Sequence, residues 1–244
     1  MTLTQPFAAL RPVTDRAADV IAPPYDVLSS AEARVRAAGR PWSFLHISKP
    51  EIDLPKTTDP HAEEVYARAS ANLQQMLQQG VLVRDAGPCY YIYRMVMGEH
   101  SQTGLVVAAS VADYDSNRIR KHEFTRPDKE DDRVRQIESL NAQTGPVLLA
   151  YKSQERVDVM LAAAAEGAPD VDLTADDGIR HSLWVVRDNL LVEQITTAFD
   201  AMEALYIADG HHRSAAASRV AASRPGDAGA AAFLAVIFPH RQMQ

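Results

Sequence analysis

The chain has 244 residues, 46% of them hydrophobic and 23% charged, and a formal net charge of −7. That is enough apolar material for one large domain or two small ones, and the acidic balance argues against a general nucleic-acid-binding surface while leaving room for a local basic pocket. The single cysteine, Cys89, excludes an internal disulfide, and the lack of any run of about 18 apolar residues points to a cytoplasmic chain with no membrane partner.

Residues 1–28 read as irregular, with Pro23 and Pro24 forcing an extended path into Tyr25 and Asp26. Residues 29–38 have the pattern of a short helix, with Ser29 or Ser30 as N-cap and Gly39 as its stop. The run SFLHIS, 43–48, alternates like a strand, which makes His46 a core or rim histidine rather than a ligand. Residues 61–79 form a helix with Val65, Leu73, Met76 and Leu77 on one side, ended by Gly80. Residues 90–97 and 104–114 are strands paired as a hairpin through MGEHSQTG.

A charged segment follows. Thr125 and Asp128 resemble a capping box, Pro127 suits a first helical turn, and Val134, Ile137 and Leu140 mark the buried side of a helix that Gly145-Pro146 stops. VLLAY, 147–151, is a buried strand and 155–165 a helix. Strand-like runs at 171–174 and 181–187 flank TADDG, and 188–199 is helical. Last come a strand at 204–208, an Ala-rich helix at 214–222 and a strongly apolar strand at 230–239. Strands and helices interleave throughout, so the expected fold class is α/β or α+β with a mixed sheet. Residues 1–100 would form an N-terminal flanking lobe and 101–244 the core.

Chemistry gathers at the junction YIADGHHRSAA, 206–216. A strand that runs through Asp209-Gly210 into a helix presents free N–H groups at the strand's carboxyl end, a natural anion site. An Asp N-cap followed by surface side chains would explain the same residues structurally. In the functional reading the helix N-terminus binds phosphate, Arg213 adds a fork, His211 and His212 donate hydrogen bonds, and Asp209 holds Mg²⁺. Zinc is disfavoured, because adjacent helical histidines diverge by roughly 100° and no second His/Cys cluster has ligand spacing. A second group comprises Lys121, His122, Glu123, Arg126 and Lys129, with Glu123 a carboxylate among cations able to accept a proton, unless the segment is simply a solvated loop. Tyr25 and Asp26 either form a turn or touch substrate. No GxxxxGK[ST], GxGxxG or GxSxG pattern occurs.

Four segments, APPYDVLS, SFLHISKPEIDLP, KHEFTRPDKEDDR and YIADGHHRSAAA, stand in the order found in the family catalogued as domain of unknown function 1015, which the chain resembles over nearly its whole length. Members of that family run well beyond FPHRQMQ, so the resemblance implies a chain truncated at its C-terminus. The Asp-Gly-His-His-Arg motif also resembles that of free serine kinases with a ParB/sulfiredoxin-like fold, which convert L-serine to O-phosphoserine. In those enzymes a glutamate ahead of a helix is the base and the motif's Asp is needed for transfer. Carried over, these roles fall on Glu123 and Asp209. The spacing between them is wider than a minimal domain of that fold uses and requires an insertion around 153–200.

The resemblance implies a serine phosphotransferase with ATP, ADP or pyrophosphate as donor and Mg²⁺ as cofactor. Glu123 and Asp209 would be catalytic, Gly210, His211, His212, Arg213, Lys121 and His122 would hold the donor phosphate, and Tyr25, Asp26 and Arg126 would contact substrate. The two clusters should then meet in one cleft. Two rivals stand beside this reading. Sulfiredoxin-like chemistry needs a cysteine where the chain has His211. A non-catalytic nucleotide- or phosphate-binding regulatory module of ParB-like type would need the anion pocket but not Glu123.

Overall fold

The computed structural model describes residues 2–243 and is a mixed α/β fold built on a nine-stranded sheet. Its first half contains Thr4–Gln5 (β1), Leu10–Pro12 (β2), Ala17–Val20 (α1), Ser30–Ala37 (α2), Leu45–Ser48 (α3), Glu63–Gln78 (α4), Leu82–Arg84 (β3) and Tyr90–Met97 (β4). There follow His100–Ser110 (β5), Val111–Asp115 (α5), Ile119–Arg120 (β6), Pro127–Leu140 (α6), Val147–Tyr151 (β7) and Glu155–Ala164 (α7). The last elements are Val171–Thr174 (β8), Arg180–Val186 (β9), Asn189–Asp200 (α8), Leu205–Asp209 (β10), His211–Ser223 (α9) and Ala232–Pro239 (β11).

The sheet runs β6-β10-β7-β11-β5-β4-β9-β8, and β1 lies against the second half of β5 where β4 has ended. Only β6/β10 and β7/β11 pair in parallel. Alternation along the strands buries one face: Leu105, Val107 and Ala109 of β5 and Ala235 and Ile237 of β11 pack with Val157 and Leu161 of α7, Ile195 and Phe199 of α8, and Ala215 and Ala217 of α9. The intervening residues Val106, Ala108, Leu148, Ala150 and Leu234 are only half-buried. Gly104 lets β11 close on β5, since a Cβ there would lie 2.7 Å from the Ile237 carbonyl and from the Phe238 ring.

A smaller core joins α4 to the segments before it through Val20, Ile47, Leu73 and Met76, with Leu140 of α6 closing it. The hairpin β4–β5 turns through Gly98 and Glu99, and both its strands belong to the central sheet, which therefore runs across residue 100.

Four local expectations are corrected. Residues 43–48 hold the helical turn α3, not a strand. Leu45 and Ile47 do stand two residues apart, but each is buried in a different small core, so the period-2 pattern arises from a helix turn wedged between two clusters. The second hairpin strand begins at His100 and stops at Ser110, whose hydroxyl caps α5 by accepting from the Asp113 N–H at 3.1 Å. No capping box forms at α6: its N-cap is Arg126, and the Thr125 hydroxyl donates to Glu130 instead. The buried residues of α6 are Gln136 and Leu140, with Gln136 donating to the Ile47 carbonyl at 2.9 Å. Ser29, by contrast, does cap α2, in a complete capping box with Glu32.

Candidate functional site

Strand β10 ends irregularly. Its register against β7 shifts between Ile207 and Asp209, a bulge of the kind that re-aims side chains. Gly210 then takes φ +94° and serves as the N-cap of α9. A Cβ there would sit 3.2 Å from the Val147 Cα and 3.3 Å from the Arg213 Cζ, so backbone conformation and packing both demand glycine. No side chain caps α9, which leaves its first-turn N–H groups without a side-chain acceptor. The Ser214 hydroxyl, fully buried, turns back onto the Gly210 and His211 carbonyls.

Three side chains leave this first turn in different directions. His211 is 4% exposed, and its Nδ1 lies 3.3 Å from Oε2 of Glu123, itself 63% exposed. The His122 ring stands edge-on to His211 at 4.5 Å, and His211 Nε2 is buried with no hydrogen-bond partner. Burial, with His122 adding to it, lowers the His211 pKa against the opposing pull of Glu123 and Asp209 and so favours the neutral ring. His212 Nε2 accepts the backbone N–H of Arg126 at 3.1 Å, 86 positions away in sequence, and so carries its lone pair on that nitrogen. Arg213 reaches Asp209 at 2.6 Å and Asp26 at 3.4 Å through one nitrogen, while its other terminal nitrogen donates to the Pro146 carbonyl.

The residues around 121–126 and 209–213 are therefore neighbours, and Asp26 joins them. Lys121 is held apart from these contacts: its ammonium donates to the Tyr114 carbonyl at 2.9 Å and lies 4.0 Å from the centre of that ring. The Arg126 side chain pairs with Asp128 at 2.8 Å, so its tie to the cluster is the backbone N–H. Tyr25 lies under the Arg133 guanidinium at 4.1 Å, and burial raises its pKa. Tyr25, Asp26, Arg126, Lys129 and His212 line one cavity of about 530 Å³ that opens from the α9 N-terminus toward α4.

Sequence reasoning missed several contributors. Gly145 does not merely end a helix: a Cβ there would lie 3.2 Å from the Arg213 Cδ, so Gly145-Pro146 seats that arginine. Asp132 gathers Arg133, Tyr66 at 2.7 Å and His61 at 3.1 Å. Burial alone would raise its pKa, but Arg133 and these hydrogen bonds prevail and lower it, while burial and Asp132 push the Tyr66 phenol up to about 12. Phe124, next to Glu123, is 100% exposed. Only the Gly-Pro pair ahead of a buried strand carried a sequence signal. Asp132, Tyr66 and His61 meet through tertiary packing alone.

Among the described residues no group of three or more His, Cys, Asp or Glu side chains is arranged to hold a metal ion, and no helix is long and apolar enough to cross a membrane. No curated protein and no solved structure matches the chain. A family model does, over residues 4–244, and the chain belongs to the family it describes, Protein of unknown function (DUF1015).

Proposed function

We propose that this protein is a phosphotransferase that moves a phosphoryl group from a nucleotide or pyrophosphate to the hydroxyl of free L-serine or a similar small alcohol. The observation that carries the reading is the meeting of Glu123 with the uncapped, arginine-bearing start of α9, at 3.3 Å from His211. Phosphoryl transfer asks little covalent chemistry of a protein; it needs an in-line hydroxyl, a proton acceptor and positive charge around the moving group. The α9 N–H groups supply the charge, joined by Arg213 once it leaves Asp209 and Asp26, and the exposed Glu123 carboxylate takes the hydroxyl proton. Lys121 contributes only if it leaves Tyr114. The relation to serine kinases of ParB/sulfiredoxin-like fold belongs to this proposal, as does the kinase role itself.

Mg²⁺ belongs to this proposal, with Asp209, released from Arg213, as its ligand. It is commonly held by one or two carboxylates and completes its shell with water and phosphate oxygens, and Asp209 and Asp26 converge on one nitrogen of Arg213. When bound, the ion would neutralise charge on the transferring phosphate. The test is direct: the protein is incubated with L-serine, Mg²⁺ and ATP, ADP or pyrophosphate in turn, and O-phosphoserine is sought by mass spectrometry. Product with one donor supports the reading. Saturable donor binding without product from any of the three replaces it with the non-catalytic phosphate-binding module.

A further inference from the structure

Another cavity, of about 650 Å³, lies away from this cluster. Val147 at the start of β7 abuts Gly210, whereas the cavity is reached from Tyr151 at the strand's other end and is walled by α7. Its volume lies within the roughly 300–1,000 Å³ typical of small-molecule sites.

Two charges face into it without ion-pair partners among the described residues. Arg94 of β4 lies over the Trp184 ring at 4.9 Å and uses its Nε to donate to the Thr103 hydroxyl at 3.0 Å. Its two terminal nitrogens make no hydrogen bond among the described residues, and the indole beneath the guanidinium is itself fixed by a 3.2 Å bond from its Nε1–H to the Gly167 carbonyl. Asp158 of α7 accepts from the buried Tyr151 hydroxyl through Oδ1. Burial and the Asp158 carboxylate hold the Tyr151 phenol well above its ordinary pKa, so it stays a donor. Arg180 and Ser182, which also line the cavity, are taken up by Asp172 at 2.6 and 2.9 Å. Leu161 and Ala162 of α7, with Ala165 just after it, supply an apolar wall.

The geometry points to a second ligand site here, for a zwitterionic α-amino acid with a large apolar side chain. The carboxylate pairs with the Arg94 fork, the ammonium with the free oxygen of Asp158, and the side chain packs against Trp184 and Leu161. A guanidinium on the sheet and a carboxylate on the helix, each unpaired, ask for a ligand carrying both opposite charges. A purely anionic ligand would leave Asp158 unanswered.

Calorimetric titration with L-phenylalanine, phenylalaninamide and 3-phenylpropionate separates the contributions. L-Phenylalanine should bind saturably, and each analogue, lacking one charge, about tenfold or more weakly. Arg94→Met keeps the apolar stem over Trp184 and should erase the difference between phenylalanine and its amide. Asp158→Asn should erase the difference between phenylalanine and phenylpropionate. No saturable binding of phenylalanine, tryptophan or leucine at millimolar concentration by the parent protein overturns the proposal, and so does equal binding of the three probes. The parent's own discrimination among the probes decides the matter even if a variant fails to fold.

Discussion

Two strand-to-helix junctions in this molecule begin with an aspartate and end differently. At β9–α8, Asp188 is the N-cap, and its carboxylate accepts the Leu191 N–H at 2.8 Å. At β10–α9 a glycine is interposed, so Asp209 stands one residue too early to cap, and its carboxylate goes to Arg213 instead. The first aspartate is consumed by its own helix; the second leaves the helix start free and faces outward. One inserted glycine, with the bulge before it, separates a structural helix start from one that can receive an anion.

The largest effect expected from breaking this contrast is on catalysis. On the proposed phosphotransferase reading, Glu123→Gln keeps the shape beside His211 and removes the proposed proton acceptor, so turnover of serine should fall about 10²–10⁴-fold while donor binding persists. Steady-state rates with donor affinity measured separately check this. Parental turnover would move the base to Asp209 or Asp26. Arg213→Ala removes a guanidinium that, on leaving Asp209 and Asp26, would contact ground state and transition state alike, so donor affinity and turnover should drop together, roughly 10–100-fold. Donor affinity equal to the parent's would show that the α9 start binds without its arginine.

Smaller effects on stability sharpen the same comparison. Gly210→Ala places a Cβ at φ +94° against Val147 and should cost about 1–2 kcal/mol or more in urea unfolding. Asp188→Ala should cost about 1 kcal/mol, the usual worth of a cap, and leave any activity unchanged. Equal losses of activity in the two variants would erase the distinction between the junctions.

The helix after Gly210 and the strand before it were legible because their apolar periodicities differ and glycine punctuates them. So were the N-cap of α2 at Ser29 and the existence of the β4–β5 hairpin, both set by neighbours in sequence. What escaped was set by tertiary contact. SFLHIS read as a strand because two separate cores bury Leu45 and Ile47. The seat of Arg213 on Gly145-Pro146 and the hold of Asp132 on Tyr66 join residues far apart in sequence. Lys121 looked like part of a cationic cluster, yet its ammonium finds the Tyr114 carbonyl and ring.

The smallest expected effect contrasts two histidines, one in α3 and one at the start of α9. His46 bonds Asp53 at 2.7 Å, and that hydrogen bond, working against burial, raises its pKa above the ordinary 6.5. His211 is shifted the other way, by burial first and His122 second. Between 6.5 and its raised value His46 holds more proton in the folded than in the unfolded state, so its contribution is complete below 6.5 and fades as pH rises through the folded value. Below 6.5 the unfolded chain takes up a proton at His211 more readily than the folded one, so stability falls as pH drops toward the lowered value. Urea midpoints measured from pH 5 to 8.5 should therefore change in opposite ways in the two variants. His46→Gln should flatten the alkaline side of the profile and His211→Gln the acidic side. Should His211→Gln instead flatten the alkaline side, His211 would be charged in the folded protein, paired to Glu123 as a cation, and that carboxylate would be a weaker candidate for the base.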